Sequence, residues 1–134
     1  MADGSELTLL DTHVWVWSVV KHPNLSAAHA EIIERERENL AISVVSCWEI
    51  SMLVAKGRLR FPIPLLEWFE NAILDSNTRV IPLSYPITVD AYSLPGRFHD
   101  DPADRMIVAT ARSRDCLLLT EDEKIIKYPH VRTA

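Results

Sequence analysis

Residues 7–12 read LTLLDT, a short apolar run closed by an acid and a hydroxyl, and the reading of this stretch decides the fold. A run so short, with no polar alternation, fits a strand buried on both faces. Asp and Thr are residue types that open helices. Comparable runs occur at Leu40–Val45, Arg79–Leu83 and Cys116–Thr120, with helical stretches between them. Strands that alternate with helices imply parallel βαβ units, and so an α/β fold with a mainly parallel sheet.

The helices follow from spacing and stop signals. Thr12–Val20 is expected to be the first. Ser26 opens a second, with Glu31, Glu34, Arg35 and Arg37 solvated and Ala28, Ile32 and Ile33 inward. Cys47–Lys56 is a third, ended by Gly57 at its C′ position. Pro64 at N1 starts a fourth over Leu65–Leu74, with Leu65, Leu66, Phe69 and Ile73 toward the core. Pro102–Arg112 and the short Asp122–Lys127 complete the set, and Pro129 precedes an expected edge strand at Val131.

Asp11, Glu49, Asp104 and Asp122 thus fall at or near strand-to-helix junctions. In a parallel sheet these junctions gather at the carboxyl ends of the strands, where such folds place ligands. Each acid also has a capping role open to it. Ser46-x-x-Glu49 and Thr120-x-x-Glu123 have the form of capping boxes. Asp101 can cap a helix with Pro102 at N1 and Asp104 at N3. Acids in a first turn gain about 0.3–1 kcal/mol from the helix dipole. Two like charges about 5 Å apart repel by roughly 3 kcal/mol at an effective dielectric near 20. Acids gathered for capping alone would therefore cost stability. Either a cation neutralises them or some take up a proton. Hard oxygen donors suit Mg²⁺ or Mn²⁺, which can activate water and stabilise charge on a phosphate.

The 134 residues suffice for one domain, residues 1–134, and 48% of them are hydrophobic. The polar start MADGSE does not read as a signal peptide, and Val14–Val20 is too short to span a bilayer. A soluble, cytoplasmic protein is expected, with no membrane partner. Cys47 and Cys116 lack metal or redox spacing and read as reduced core residues. The net charge of −5 runs against simple electrostatic binding of nucleic acid, unless cations neutralise acids held in one pocket.

The stretches LLDTHVWVW, SVVSCWEISMLVAKGRLRFP, HDDPADRMIVATA and LLLTEDEKI, in this order, resemble the PIN domain, and more narrowly the VapC-type toxins of bacterial toxin–antitoxin pairs. The resemblance spans Leu9 to about Ile125. It implies a three-layer α/β/α fold and an endoribonuclease dependent on Mg²⁺ or Mn²⁺. Asp11, Glu49, Asp104 and Asp122 match the family's acids in order, as metal ligands and catalytic groups. Thr12, Ser46 and Thr120 match hydroxyl positions beside them, either orienting a carboxylate or water or serving as ordinary caps. Asp101 could share the site, with the helix cap as the favoured reading. His13 and His99 read as structural histidines. A homodimer and a cognate antitoxin are also implied.

Lys56, Arg58, Arg60, Arg97 and Arg105 are candidates for RNA phosphate contacts; a solvated turn, or for Arg105 a salt bridge, are the alternatives. Trp68 and Phe69 belong either to the core or to a groove for a partner helix. Glu121 and Glu123 add negative charge beside Asp122. Two readings compete with the ribonuclease: a catalytically silent PIN-like module binding RNA or protein, and a nuclease acting on structured DNA. A phospho-acceptor domain is disfavoured, because Ser84 and Glu121 stand where its acceptor aspartate and lysine are needed.

Overall fold

The computed structural model describes residues 6–134. Residues 1–5, the polar start that figured in the reading against a signal peptide, lie outside them. Strands β1 (Thr8–Leu10), β2 (Leu40–Ser43), β3 (Arg79–Ile81) and β4 (Leu117–Leu119) form one sheet in the order β3-β2-β1-β4. Every pairing is parallel, with Leu9 opposite both Ala41 and Leu118. The chain winds outward from β1 to β2 and β3, then crosses back to place β4 on the other side of β1. The order reverses at β1/β4, which makes that crevice the switch point of the sheet.

Side chains alternate across the sheet, as a strand requires. Leu9, Ala41 and Leu118 point into one apolar layer with Ile107, Val108 and Ala111 of α6 (Pro102–Arg114). Leu10, Ile42 and Leu119 point into the other, with Val14 and Trp15 of α1 (Thr12–Val20) and Trp68 of α4 (Leu65–Ser76). Both faces are covered, which accounts for the unbroken apolar runs. Helices α2 (Ala27–Arg35) and α3 (Val44–Ala55) complete the outward crossovers. Helix α5 (Tyr85–Ala91) packs Ile87 and Ala91 on Ala109 and Met106 of α6, and α7 (Glu123–Ile126) follows β4.

Several local expectations are corrected. Strand β2 stops at Ser43, which caps α3 by accepting from the Val45 N–H at 3.0 Å. The third helix therefore starts at Val44 rather than Cys47, and Ser46 is no cap. Pro64 stands at the N-cap of α4 instead of N1. On that helix Leu66 is 71% exposed, and Trp68 takes the inward place, stacked on Phe61 at 3.9 Å. Trp68 thus belongs to the core and at the same time lines an apolar groove with Trp17 and Phe61. On α2 Ala28 is exposed and His29 is buried. The Nε2 of His29 lies 2.8 Å from the Ala134 oxygen, an anchor that no local pattern announces. The last strand-like contact is a single bridge from Leu118 to Thr133, two residues beyond the expected Val131. Helix α5 was not foreseen.

Gly57 does end α3, with φ at 72°. Its N–H donates to the Val54 carbonyl and that of Arg58 to Leu53, the paired bonds of a Schellman stop. Among the described residues no helix is long and apolar enough to cross a membrane.

Candidate active site

Asp11 follows the last residue of β1, and its N–H donates to the Leu119 carbonyl at 2.9 Å, so β4 fixes where the acid stands. As N-cap of α1 its Oδ1 accepts from the Thr12 N–H at 2.9 Å. Its Oδ2 accepts from the Thr120 hydroxyl at 2.7 Å. Both oxygens are thereby oriented. Thr120 also accepts from the Asp122 N–H at 3.0 Å, which ties the end of β4 to the start of α7. Asp122 is the cap of α7, accepting from the Lys124 N–H, so the expected box from Thr120 to Glu123 does not form.

Glu49 lies in the second turn of α3 and is not a capping group. It accepts from the Thr12 hydroxyl at 2.6 Å. The Ser46 hydroxyl stands 2.8 Å from the same Thr12 oxygen. One hydroxyl has one proton to give. The charged carboxylate is the stronger acceptor, so the Thr12 proton belongs to Glu49. Thr12, Ser46 and Thr120 are all buried, and orienting carboxylates or one another is what they do here. Asp104 occupies N3 of α6, where its N–H donates to Asp101 at 2.9 Å. Asp101 is thus the cap and stands at the same cleft.

Asp11, Glu49, Asp101, Asp104 and Asp122 line one open cleft of about 690 Å³ together with His13, His99 and Lys124. The carboxyl groups are perturbed as such crowding requires. Burial pushes Asp11 above the ordinary range, opposed by its bonds from Thr120 and Thr12. Burial raises Glu49 too, opposed by the Thr12 hydroxyl and reinforced by Asp11. Asp104 is pushed up to about 8, first by burial and then by Asp101, Asp11, Asp122 and Glu49. Perturbed acids in a cleft at a switch point mark a candidate functional site.

The basic residues separate. Arg105 is turned inward: its guanidinium donates to the carbonyls of Ala91 at 2.9 Å and Phe98 at 2.8 Å and lies over the Tyr92 ring. It anchors the loop before α6, and neither the expected phosphate contact nor a close ion pair describes it; Asp100 is 3.9 Å away. Arg97 is exposed in a small pocket that shares His99. Arg58 and Arg60 border a second, more apolar groove of about 780 Å³, lined by Val16, Trp17, Leu59, Phe61 and Ile63. Lys56 is exposed just beyond α3. Sequence reading passed over Lys124, a cation on the acid cleft, because a lysine in a short helix carries no local signal.

The model of the PIN domain family matches residues 8–131. The chain belongs to the PIN domain family. Ribonuclease VapC22 of Mycobacterium tuberculosis (strain ATCC 25618 / H37Rv) is 34% identical over 124 residues, 92% of this chain and 93% of that protein, which places the PIN domain here with the VapC type. Solved structures share the fold. DNA-bound VapBC from Salmonella typhimurium superposes with a TM-score of 0.73 at 18% identity, covering 97% of this chain and 98% of that one. VapBC2 from Rickettsia felis, bound to a promoter DNA fragment, gives 0.69 at 20% identity, covering 96% and 97%.

Among the described residues no three His, Cys, Asp or Glu side chains stand close enough to hold an ion by themselves. The donors that line the cleft are nevertheless mostly carboxylate oxygens on fixed supports. Mg²⁺ characteristically uses one or two carboxylates and fills its remaining positions with water and substrate phosphate. The arrangement fits an ion bound in that manner.

Proposed function

We propose that this PIN domain is a metal-dependent endoribonuclease and the toxin of a toxin–antitoxin pair, with Asp11, Glu49, Asp104 and Asp122 as its metal-binding and catalytic acids. The observation that carries the reading is the convergence of these four acids, from four different elements, on one cleft at the switch point. The 34% identity to a ribonuclease supports RNA as the substrate class.

A bound divalent ion supplies an activated water and neutralises charge on the scissile phosphate. The chain supplies the positions. Thr120 and the Thr12 N–H hold the plane of the Asp11 carboxylate. The Thr12 hydroxyl holds Glu49, and the first turn of α6 holds Asp104. The elevated proton affinity of Asp104 means that an arriving cation competes with a proton there. Lys124 and Arg97, at and beside the cleft, are suited to phosphates flanking the cut.

The antitoxin reading draws support from the VapBC assemblies among the structural neighbours and from the apolar groove that shares His13 and Trp17 with the acid cleft. An apolar segment seated there, with Arg58 and Arg60 at its rim, would lie beside the acids. The exposed Tyr85, Val89 and Tyr92 around α5 offer a face for a second copy of the chain.

The test is cleavage of a total small-RNA pool by purified, antitoxin-free protein, with Mg²⁺ or Mn²⁺, with EDTA, and with Asp11→Asn. Discrete fragments that require both metal and Asp11 are expected. No cleavage in any lane would transfer the assignment to a silent binding module, and metal-dependent cutting of structured DNA alone would change the substrate.

A further inference from the structure

The nuclease reading uses only oxygen donors and leaves His99 without a task. This residue lies in the loop before α6, two residues ahead of its cap Asp101. Its Nε2 lies 2.9 Å from Oδ2 of Asp104. Yet the same nitrogen is buried and makes no aligned hydrogen bond. Hydrogen bonds weaken steeply when the donor does not point at the acceptor, so His99 does not donate from this nitrogen to Asp104, and its Nε2 is left as a lone pair facing the carboxyl. Such a lone pair can accept a hydrogen bond from protonated Asp104 when no ion is bound, and can bind an ion beside it when one is. Adjacent ligands on an octahedral ion with bonds of about 2.1 Å are about 3.0 Å apart. A tetrahedral ion with similar bonds sets its ligands about 3.3 Å apart. The observed 2.9 Å is compatible with the octahedral edge, and is also an ordinary hydrogen-bond length.

We propose that the Nε2 of His99 is a metal ligand beside Asp104, and that this nitrogen gives the cleft a preference for Mn²⁺ over Mg²⁺. The inference rests on the reading of the cleft as a metal-dependent nuclease site. A neutral imidazole with its proton on Nδ1 leaves a lone pair on Nε2. Imidazole suits first-row transition ions, whereas Mg²⁺ is held through carboxylate oxygen and water. Both donors are in place before an ion arrives. Asp104 is fixed by the capped first turn of α6. His99 is packed against Phe98 at 4.6 Å between ring centres, and Arg105 clamps the Phe98 carbonyl.

The test is pulsed electron paramagnetic resonance of Mn²⁺ bound to tag-free protein, read at ¹⁴N frequencies, with Mn²⁺ and Mg²⁺ affinities measured by calorimetry. The proteins are wild type, His99→Gln and His13→Gln, because His13 and His99 are the histidines lining the cleft. Nitrogen modulation is expected in wild type and His13→Gln and absent in His99→Gln. The Mn²⁺ Kd of His99→Gln rises about tenfold or more, and its Mg²⁺ Kd changes less. Bound Mn²⁺ without nitrogen modulation, or modulation lost only in His13→Gln, overturns the ligand assignment and leaves the nuclease reading standing. A wild type that binds neither ion overturns both. Should His99→Gln fail to fold, His13→Gln decides alone: persistence of the modulation supports His99, and its loss overturns it.

Discussion

At the scale of single residues, the hydroxyls govern the acids. Thr12 is buried, holds Glu49 and meets Ser46. Thr12→Val keeps the shape but leaves Glu49 and Ser46 short of a partner. The expected loss is about 1–3 kcal/mol in urea unfolding, together with slower RNA cleavage; an unchanged midpoint would mean that water replaces the hydroxyl at no cost. Asp104 sets a second expectation. Its folded-state value of about 8 lies above the ordinary 3.8, so between these values the folded chain holds more of this proton than the unfolded chain does. Stability of the metal-free protein therefore falls as pH rises through that window. Melting curves from pH 5 to 8 in EDTA should show a declining Tm, and Asp104→Asn should flatten the decline. Asp11 and Asp122 could be read from their strand-to-helix junctions, whereas Glu49 lies a turn into α3 and Asp104 opens a helix that follows α5 and a loop, so no junction announces either. What Thr12 and Ser46 do was not legible in the sequence, because capping and orienting draw on the same residue types. The two partners of Thr12 are 34 and 37 residues away.

At the scale of elements, the strands and most helices could be read because both faces of the sheet are buried and apolar runs have no other use. The misread boundaries have local causes. Val44 and Val45 extend an apolar run past Ser43, so nothing in periodicity separates strand from helix there, and only the cap of Ser43 does. Helix α5 escaped because only Ile87 and Ala91 face inward, while Tyr85 and Val89 are exposed. Its remaining signals are Ser84 as cap and Pro86 in the first turn. Helix ends give a sharper expectation. Gly57 needs no side chain room, since nothing lies within 4 Å of where a Cβ would stand, but its φ is 72°. Lys21 closes α1 in the same left-handed region at φ 57° without being glycine. Lys21→Gly should stabilise by about 0.5–1 kcal/mol, the difference between left-handed strain and the freer unfolded chain. Gly57→Ala should destabilise by a similar amount. Urea titrations of the two variants check both signs, and shifts in the same direction would show that strain at these caps is not what sets their stability.

At the scale of the whole molecule, strand order and charge act together. Because β4 returns beside β1, the acid after β1 meets the residues after β4, and α3 and α6 bring the rest. Sequence order alone does not announce this, since a sheet in plain sequence order would have kept Asp11 and Asp122 apart. If the chain self-associates through the exposed face of α5, the wild type should sediment as a dimer and Val89→Asp as a monomer; a dimeric Val89→Asp rules that face out, and a monomeric wild type rules out self-association. Seven acids and one lysine line the cleft of a molecule whose net charge is −5, so the metal-free molecule carries repulsion in its own cleft. Mg²⁺ or Mn²⁺ binding only the folded form raises stability by RT ln(1 + [L]/Kd), about 2.7 kcal/mol at a hundred times Kd. An Asp11→Asn/Asp104→Asn double variant should therefore move in two ways at once. Without metal it should melt above the wild type, because the repulsion is gone. With millimolar metal the order should reverse, because only the wild type gains. A double variant that melts lower in EDTA would show that these carboxylates are structural caps first, and one that still gains from metal would place the ion elsewhere.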